Sequence, residues 1–260
     1  RVSGSGMLQV GVQTYGGGLW HTWFDRPLGL AGKVVFRDAS NGHLAERLVH
    51  IPKPLMIIPN LAIHLQSADE RKAFAPNTES HLQPVLCSKQ FDDAATSRGE
   101  EPKEGSHSRH HAALLELLSK ELGCGTADIV DADLCLMDAQ PANLVGLYEE
   151  FVSAPRIDNL LSTFAAVEGL IQYASSADIA EAKDICLAVS FDHEEVGSQS
   201  FTGAEGDTLP TWLDRILGGL EVAALTRPEV YSRSFLLSAD CAHGVHPNYS
   251  GKHQSEHRPD

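Results

Sequence analysis

The first half of the chain alternates apolar and polar residues over short stretches, a pattern typical of strands with one buried face. An Asn41-Gly42 pair predicts a hairpin turn, because both residues tolerate positive φ. The glycines at 16–18 predict a tight turn, and Pro52, Pro54 and Pro59 restrict strand pairing. Residues 1–130 are therefore predicted to form a β-rich domain, with strands at residues 10–15, 28–36 and 48–51.

The pattern changes along the rest of the chain. Residues 88–108 are polar and are predicted to form a mobile surface loop. A leucine stripe before Gly123 predicts a helix at about 108–122. Alternating strands and helices then predict a layered α/β domain at 131–260. Its strands are predicted at 130–136, 185–191 and 235–239, and its helices start near 160 and 209. A polar, His-rich tail follows.

Composition narrows the possible functions. A net charge of −15 argues against nucleic acid as a partner, because phosphates would be repelled. No apolar run reaches the length of a membrane span, and the first residues lack a signal-peptide pattern. Five scattered cysteines without a CxxC pair favour free thiols in a reducing compartment. We therefore expect a cytoplasmic protein, and any metal ligands should be His, Asp or Glu.

Four carboxylates stand where the predicted α/β domain would bind a ligand. Glu194 and Glu195 follow the strand predicted at 185–191, Asp240 follows the last predicted strand, and Asp158 precedes a helix. Ligands of open α/β sheets bind at the carboxyl ends of strands. If the strands are neighbours, crowded carboxylates need one or two divalent cations such as zinc, manganese or cobalt. A solvated Glu-Glu pair in a turn is the alternative interpretation.

Several longer motifs resemble the aspartyl aminopeptidase family, which consists of co-catalytic di-zinc exopeptidases. Their order along the chain also matches that family, and together they span most of the sequence. The motifs are VQTYGGGLW at 12–20, TWFDR at 22–26, PNLAIHLQ at 59–66, APRIDN at 154–159, EEVGS at 194–198 and SADCAHGVHPNY at 238–249.

The resemblance implies a role for each matching residue. Asp158 matches the carboxylate that bridges both metals, and its bond to the next residue is cis in the family. Glu194 matches the general base, whereas Glu195 and Asp240 match terminal metal ligands. His64 matches a substrate-binding histidine that a partner subunit inserts into the active site. His243 and His246 are interpreted as groups packed beside Asp240 rather than as ligands, and His253 and His257 as solvated tail residues.

The resemblance also implies cofactors and partners. It predicts two Zn²⁺ per complete subunit, with Mn²⁺ or Co²⁺ as substitutes, and peptides with N-terminal Asp or Glu as substrates. Residues 1–130 would form a dimerisation and lid domain, and residues 131–260 would form a partial catalytic domain. The complete protein would form dimers that assemble into a dodecamer. No nucleic acid or membrane is expected as a partner.

The family pattern includes two metal histidines that fall outside residues 1–260. We therefore expect the 260 residues alone to be inactive and poor in metal. Two alternatives remain open: a non-catalytic oligomerisation or interaction fragment, and another di-zinc hydrolase such as a deacylase.

Overall fold

The computed structural model describes residues 5–96, 110–257 and 259. The chain divides into two compact units, Arg1–Ser153 and Ala154–Asp260, and each is described by itself.

A three-stranded antiparallel sheet forms the centre of the first unit. Strand β2 (Leu28–Arg37) lies between β3 (Leu44–Met56) and β5 (Ile129–Asp138). Leu30 pairs with Ile51 on one side and with Leu136 on the other. Because side chains alternate across a strand, this register places the apolar side chains of all three strands on the same face.

The core of the first unit lies between this sheet and one helix. Helix α3 (Ala112–Leu122) contributes Leu118 and Leu122, which pack with Leu28 and Val34 of the central strand. The shorter elements of the unit are β1 (Met7–Gln9), which pairs with β4 (Val85–Ser88); β6 (Asn143–Val145), which pairs with β7 (Phe151–Ser153); α1 (Ala68–Lys72); and α2 (Lys89–Thr96).

The hairpin predicted from Asn41-Gly42 connects β2 and β3. Gly42 has a φ of 72°, and its N–H donates to the Asp38 carbonyl at 2.7 Å. The Asp38 carboxylate accepts bonds from the Ser40 hydroxyl and N–H, which lower the pKa of Asp38. At the other end of the hairpin, the pairing skips residues between Ile51 and Met56, where Pro52 and Pro54 cannot donate.

The helix predicted at 108–122 is present but begins later. It starts at Ala112, because His111 is the N-cap and its Nδ1 accepts from the Ala113 N–H at 3.3 Å. Residues 108 and 109 lie outside the described residues. Gly123 ends the helix in the left-handed region, at a φ of 69°, as expected of a glycine at that place.

The division between the units falls later than the boundary expected at residue 130. The strand predicted at 130–136, which the sequence places in the second domain, corresponds to β5, and β5 pairs with β2 along nearly its whole length. An ion pair between Arg26 and Asp138 joins the ends of the same two strands. The break between Ser153 and Ala154 therefore reflects strand pairing, which the change in composition near residue 130 does not reveal.

Two local predictions for the first unit are wrong. Residues 10–15 form no strand, and the short strand β1 ends at Gln9 instead. Part of the predicted loop at 88–108 is helical, since α2 occupies Lys89–Thr96. A Lys89–Asp93 ion pair of 2.7 Å supports that helix at the favourable i, i+4 spacing. Residues 97–109 of the predicted loop lie outside the described residues.

Helices dominate the second unit, and both predicted long helices are confirmed. Helix α4 (Ile157–Ala174) and helix α5 (Thr208–Gly219) are followed by the short α6 (Arg227–Ser232). Pro210 stands in the first turn of α5, where its missing N–H costs no helical bond.

The strands predicted at 185–191 and 235–239 are not formed in this structure. Leu187 is 49% exposed and Leu236 is 80% exposed, and both segments are irregular. Among the described residues of the second unit there is no strand with which either segment could pair. An apolar run without hydrogen-bonding neighbours on either side cannot form a sheet.

All five cysteines are free thiols, as predicted. Burial raises the pKa of the Cys87 and Cys124 thiols, and the neighbouring Asp92 and Asp128 carboxylates raise it further. Both thiols therefore stay protonated at neutral pH, which makes them poor metal ligands.

Within the described part of the chain, no helix has the length and apolar character needed to cross a membrane.

The packing of α3 on the sheet leads to a stability prediction. Leu118 is 1% exposed, so Leu118→Ala should lower the free energy of unfolding by about 2–5 kcal/mol through lost contacts and a cavity. Leu48 of β3 is 79% exposed, and Leu48→Ala is the matched control, with an expected change within about 0.5 kcal/mol. Urea unfolding of the two variants measures both effects, and equal losses would contradict this account of the core.

Candidate metal centre

Asp158 lies in the first turn of α4, at a break in regular helical geometry. Its backbone angles are −83° and 114°, and the peptide bond to Asn159 is cis, as the family resemblance implied. The preceding Arg156 has a φ of 62°. The Asp158 side chain is exposed at the start of the helix.

A hydrogen bond brings the segment before Asp240 to this helix start. The Asn159 side-chain amide donates to the Ala239 carbonyl at 3.1 Å. Asn159 follows Asp158, and Ala239 precedes Asp240. The hydrogen bond therefore joins the residues next to the two predicted carboxylates. The other polar atom of the same side chain, the amide oxygen Asn159 Oδ1, is buried without a hydrogen-bond partner.

Glu194 and Glu195 stand in a separate loop of the second unit. They begin a short 3₁₀ turn, Glu194–Val196, and both side chains are exposed. The segment that leads into this loop also contacts α4, since the Ser190 hydroxyl donates to Thr163 Oγ1 at 3.3 Å. Helix α4 thus contacts both segments that carry the remaining predicted carboxylates.

The predicted residues do not complete a metal site by themselves. Three carboxylates are chemically suitable donors for zinc, but a catalytic zinc normally has three protein ligands, often including histidine. Across residues 5–96, 110–257 and 259, no group of three or more His, Cys, Asp or Glu side chains is arranged to hold a metal ion. The site residues and their roles therefore remain predictions.

His64 lies in the first unit, in a short 3₁₀ turn at Ile63–Leu65, with its side chain exposed. The turn is held by the Leu65 N–H, which donates to the Ala62 carbonyl at 2.9 Å. An exposed imidazole on a rigid turn is compatible with substrate binding, which also remains a prediction.

The histidines that follow Asp240 hold their own segment together. The His246 N–H donates to His253 Nε2 at 3.1 Å, and His246 Nδ1 accepts from the Asn248 N–H at 3.2 Å. The His243 and His253 rings lie 5.5 Å apart beside an open cleft of about 680 Å³. His253, which was expected to be a solvated tail residue, is half-buried in this arrangement.

The sequence did not single out His193 and Ser200. His193 Nδ1 lies 2.6 Å from Ser200 Oγ across the loop that carries the two glutamates. No spacing rule connects residues seven apart in an irregular loop, so only the folded loop could reveal this contact.

Comparison with known proteins adds a decisive observation to this geometry. A family model for aminopeptidase I zinc metalloproteases, M18, matches residues 1–260. The chain belongs to the M18 family of zinc aminopeptidases. The predicted resemblance is therefore confirmed, together with an α/β fold and membership of a zinc peptidase family.

Relatives within the M18 family share much of the sequence and fold. The aspartyl aminopeptidase of Aspergillus oryzae is 42% identical over 281 residues, which cover 99% of this chain and 56% of the relative. The cryo-EM structure of the Ape4 and Nbr1 complex matches with a TM-score of 0.86 and 39% identity, covering 99% of this chain and 49% of that chain.

A dodecameric structure is also similar. The mApe1 dodecamer of Saccharomyces cerevisiae matches with a TM-score of 0.75 and 25% identity, covering 100% of this chain and 54% of that chain. The chain thus spans about half the length of the M18 relatives it matches.

The contact between Asn159 and Ala239 can be tested with a charge substitution. Asn159→Asp replaces a donating amide with a carboxylate that repels the Ala239 carbonyl, so the free energy of unfolding should fall by about 1–3 kcal/mol. Asn143→Asp is the matched control. The Asn143 amide donates to the Pro141 carbonyl in an exposed hairpin, so the expected change is within about 0.5 kcal/mol. Urea unfolding compares the two, and an equal change would show that the bond to Ala239 contributes nothing.

Proposed function

We propose that this chain is part of a zinc-dependent aminopeptidase that removes N-terminal aspartate or glutamate from peptides. The observation that carries the proposal is the M18 family match over all 260 residues. Curated relatives about 40% identical are named aspartyl aminopeptidases, which supports acidic N-terminal residues as the substrate class.

Each predicted side chain has a role in this proposal. Asp158, Glu195 and Asp240 would hold the metal as carboxylate ligands, and the complete protein would supply further ligands. Divalent zinc, when bound, lowers the pKa of water and polarises a carbonyl group. Glu194 accepts the proton of the water that attacks the scissile carbonyl. Manganese or cobalt could replace zinc at such a mixed site.

The arrangement of the loop is compatible with separate roles for Glu194 and Glu195. Its side chain is exposed at the start of a tight turn, whereas Glu195 follows it directly on the same turn. Adjacent residues in a turn point in different directions, so one carboxylate can face a cation while the other faces the water. The turn therefore presents two neighbouring carboxylates that can take separate tasks in the proposed site.

The proposal extends to assembly and location. His64 binds substrate in the active site of a partner subunit, and the complete protein forms dimers that assemble into a dodecamer in the cytoplasm. The dodecameric mApe1 structure supports this assembly. The 260 residues alone are proposed to be inactive, because no group of three or more His, Cys, Asp or Glu side chains in the described part of the chain is arranged to hold a metal ion.

The role of Glu194 can be tested in the complete protein. Glu194→Gln keeps the size of the side chain but removes the base, so kcat on an N-terminal aspartyl amide should fall about 10²- to 10⁴-fold. The zinc content should stay unchanged. Glu205→Gln is the matched control, since Glu205 is an exposed glutamate of the same loop and should leave kcat unchanged. A Glu194→Gln enzyme with full activity would exclude Glu194 as the base.

The inactivity of the 260 residues is tested by comparing them with the complete protein. We expect two zinc ions per subunit and turnover of aspartyl substrates only in the complete protein, measured by metal analysis and a peptide assay. Light scattering measures the oligomer. Zinc-free oligomers of the 260-residue chain would support the alternative of an interaction fragment. Turnover by the 260-residue chain that Glu194→Gln abolishes would contradict the proposal.

A further inference from the structure

The loop that carries Glu194 and Glu195 is closed on itself by a set of hydrogen bonds. We define it as the EE loop, residues 192–206. At the start of the loop, the Asp192 N–H donates to the Thr202 carbonyl at 3.0 Å. In its interior, the Glu205 N–H donates to the Ser198 carbonyl at 3.1 Å. A side chain at Gly203 would overlap the Ser198 carbonyl oxygen, so the two backbone segments lie too close together to admit one there.

His193 occupies the position from which the glutamate turn starts. Its carbonyl accepts two N–H groups, from Val196 at 3.3 Å and from Ser198 at 2.9 Å. These two bonds close the backbone turn that contains Glu194 and Glu195. The orientation of the His193 peptide unit therefore sets the direction in which both carboxylates leave the loop.

The backbone of His193 is in an unfavourable region. Its φ is 61° and its ψ is 28°, the left-handed conformation, which is uncommon for residues other than glycine, although asparagine, aspartate and histidine adopt it more often than the rest. Such a conformation persists only where surrounding contacts hold it. Gly197, at the other end of the turn, meets the same requirement without a side chain, at a φ of 96°.

The side chain of His193 supplies a contact of this kind. Nδ1 lies 2.6 Å from the Ser200 hydroxyl and 3.4 Å from the Thr202 hydroxyl, on the returning part of the EE loop. Nε2 lies 3.5 Å from the Asp192 carboxylate. An acceptor beside Nε2 favours the proton on that nitrogen, which leaves Nδ1 to accept from the Ser200 hydroxyl.

We propose that His193, through its bond to Ser200, is a positioning residue that fixes the direction of Glu194. The proposal rests on the proposed function of Glu194 as the base. His193 touches neither substrate nor the reacting water in this role. It acts by holding the peptide unit that precedes the base.

Substitutions at His193 can separate the hydrogen bond from the backbone conformation. Glycine accepts positive φ but has no side chain, so His193→Gly removes the ring contacts, including the bond to Ser200, without straining the backbone. Asparagine tolerates positive φ, and its Oδ1 is attached to Cγ as Nδ1 is in histidine. His193→Asn therefore keeps an acceptor at nearly the same place. Ser200→Ala removes the bond from the other side and leaves His193 in place.

The kinetic test uses the complete protein and an N-terminal aspartyl amide. His193→Gly and Ser200→Ala should each lower kcat about 10- to 100-fold, because a small misplacement of a base has a large effect on rate. KM should change less than about twofold, and His193→Asn should retain kcat within about threefold of the unchanged protein. The double variant should be no worse than the poorer single variant, since both lose one shared bond.

A matched control comes from another loop of the second unit. The Thr226 hydroxyl donates to the Ala223 carbonyl at 2.7 Å, so Thr226→Val also removes one hydroxyl bond from an exposed turn. It should leave kcat unchanged. A similar loss in Thr226→Val would mean that any weakened turn lowers activity, and this would overturn the specific role of His193.

A second measurement does not depend on activity or on bound metal. Hydrogen–deuterium exchange of the zinc-free complete protein reports the Val196 and Ser198 amides that donate to the His193 carbonyl. Exchange at both should be faster in His193→Gly and in Ser200→Ala, and unchanged in His193→Asn. Unchanged exchange together with unchanged kcat in His193→Gly would overturn the proposal.

The two proposals fail in different ways. If Glu194→Gln is fully active, the base is wrong, while exchange still shows whether His193 orders the turn. If Glu194→Gln is inactive but His193→Gly and Ser200→Ala are fully active, the base stands and the positioning role is rejected. A change confined to KM also rejects that role. Should His193→Gly fail to fold, Ser200→Ala provides the same test.

Discussion

A strand is stable only when its backbone N–H and C=O groups find partners, and this requirement organises the first unit. Strand β2 has a partner on each side, and its buried residues face α3. Strand β5 is distant from β2 in sequence but pairs with it as the third strand of the sheet. The unit therefore ends at Ser153, after the β6–β7 hairpin, and has its own core.

The same requirement explains the second unit. Its two apolar runs have the composition of buried strands, but within the described residues no sheet receives them. Phe235 is 89% exposed, and Phe164 on α4 is 64% exposed. Side chains of this size are normally buried, so the second unit presents large apolar side chains on its surface. The helices form nonetheless, because their hydrogen bonds are internal.

The candidate site depends on how irregular segments are held rather than on a sheet edge. Asn159 joins the start of α4 to the segment before Asp240, and Ser190 joins the EE loop approach to the same helix. Between them, these contacts join helix α4, which carries Asp158, to the two other segments that carry the predicted carboxylates. The carboxylates themselves are exposed, so water screens their mutual repulsion where no cation is bound.

The sequence alone determined the local elements and the family of this protein. Hydrophobic periodicity located α3, α4, α5 and the β2–β3 hairpin, because these depend on neighbouring residues. The motifs around Asp158, Glu194 and Asp240 identified the M18 family. Only the tertiary structure decided that β5 joins the first sheet, that the runs at 185–191 and 235–239 are unpaired, and that His193 meets Ser200. Such pairings depend on residues that are distant in sequence, and the hydrophobic pattern of a segment does not indicate which partner it meets.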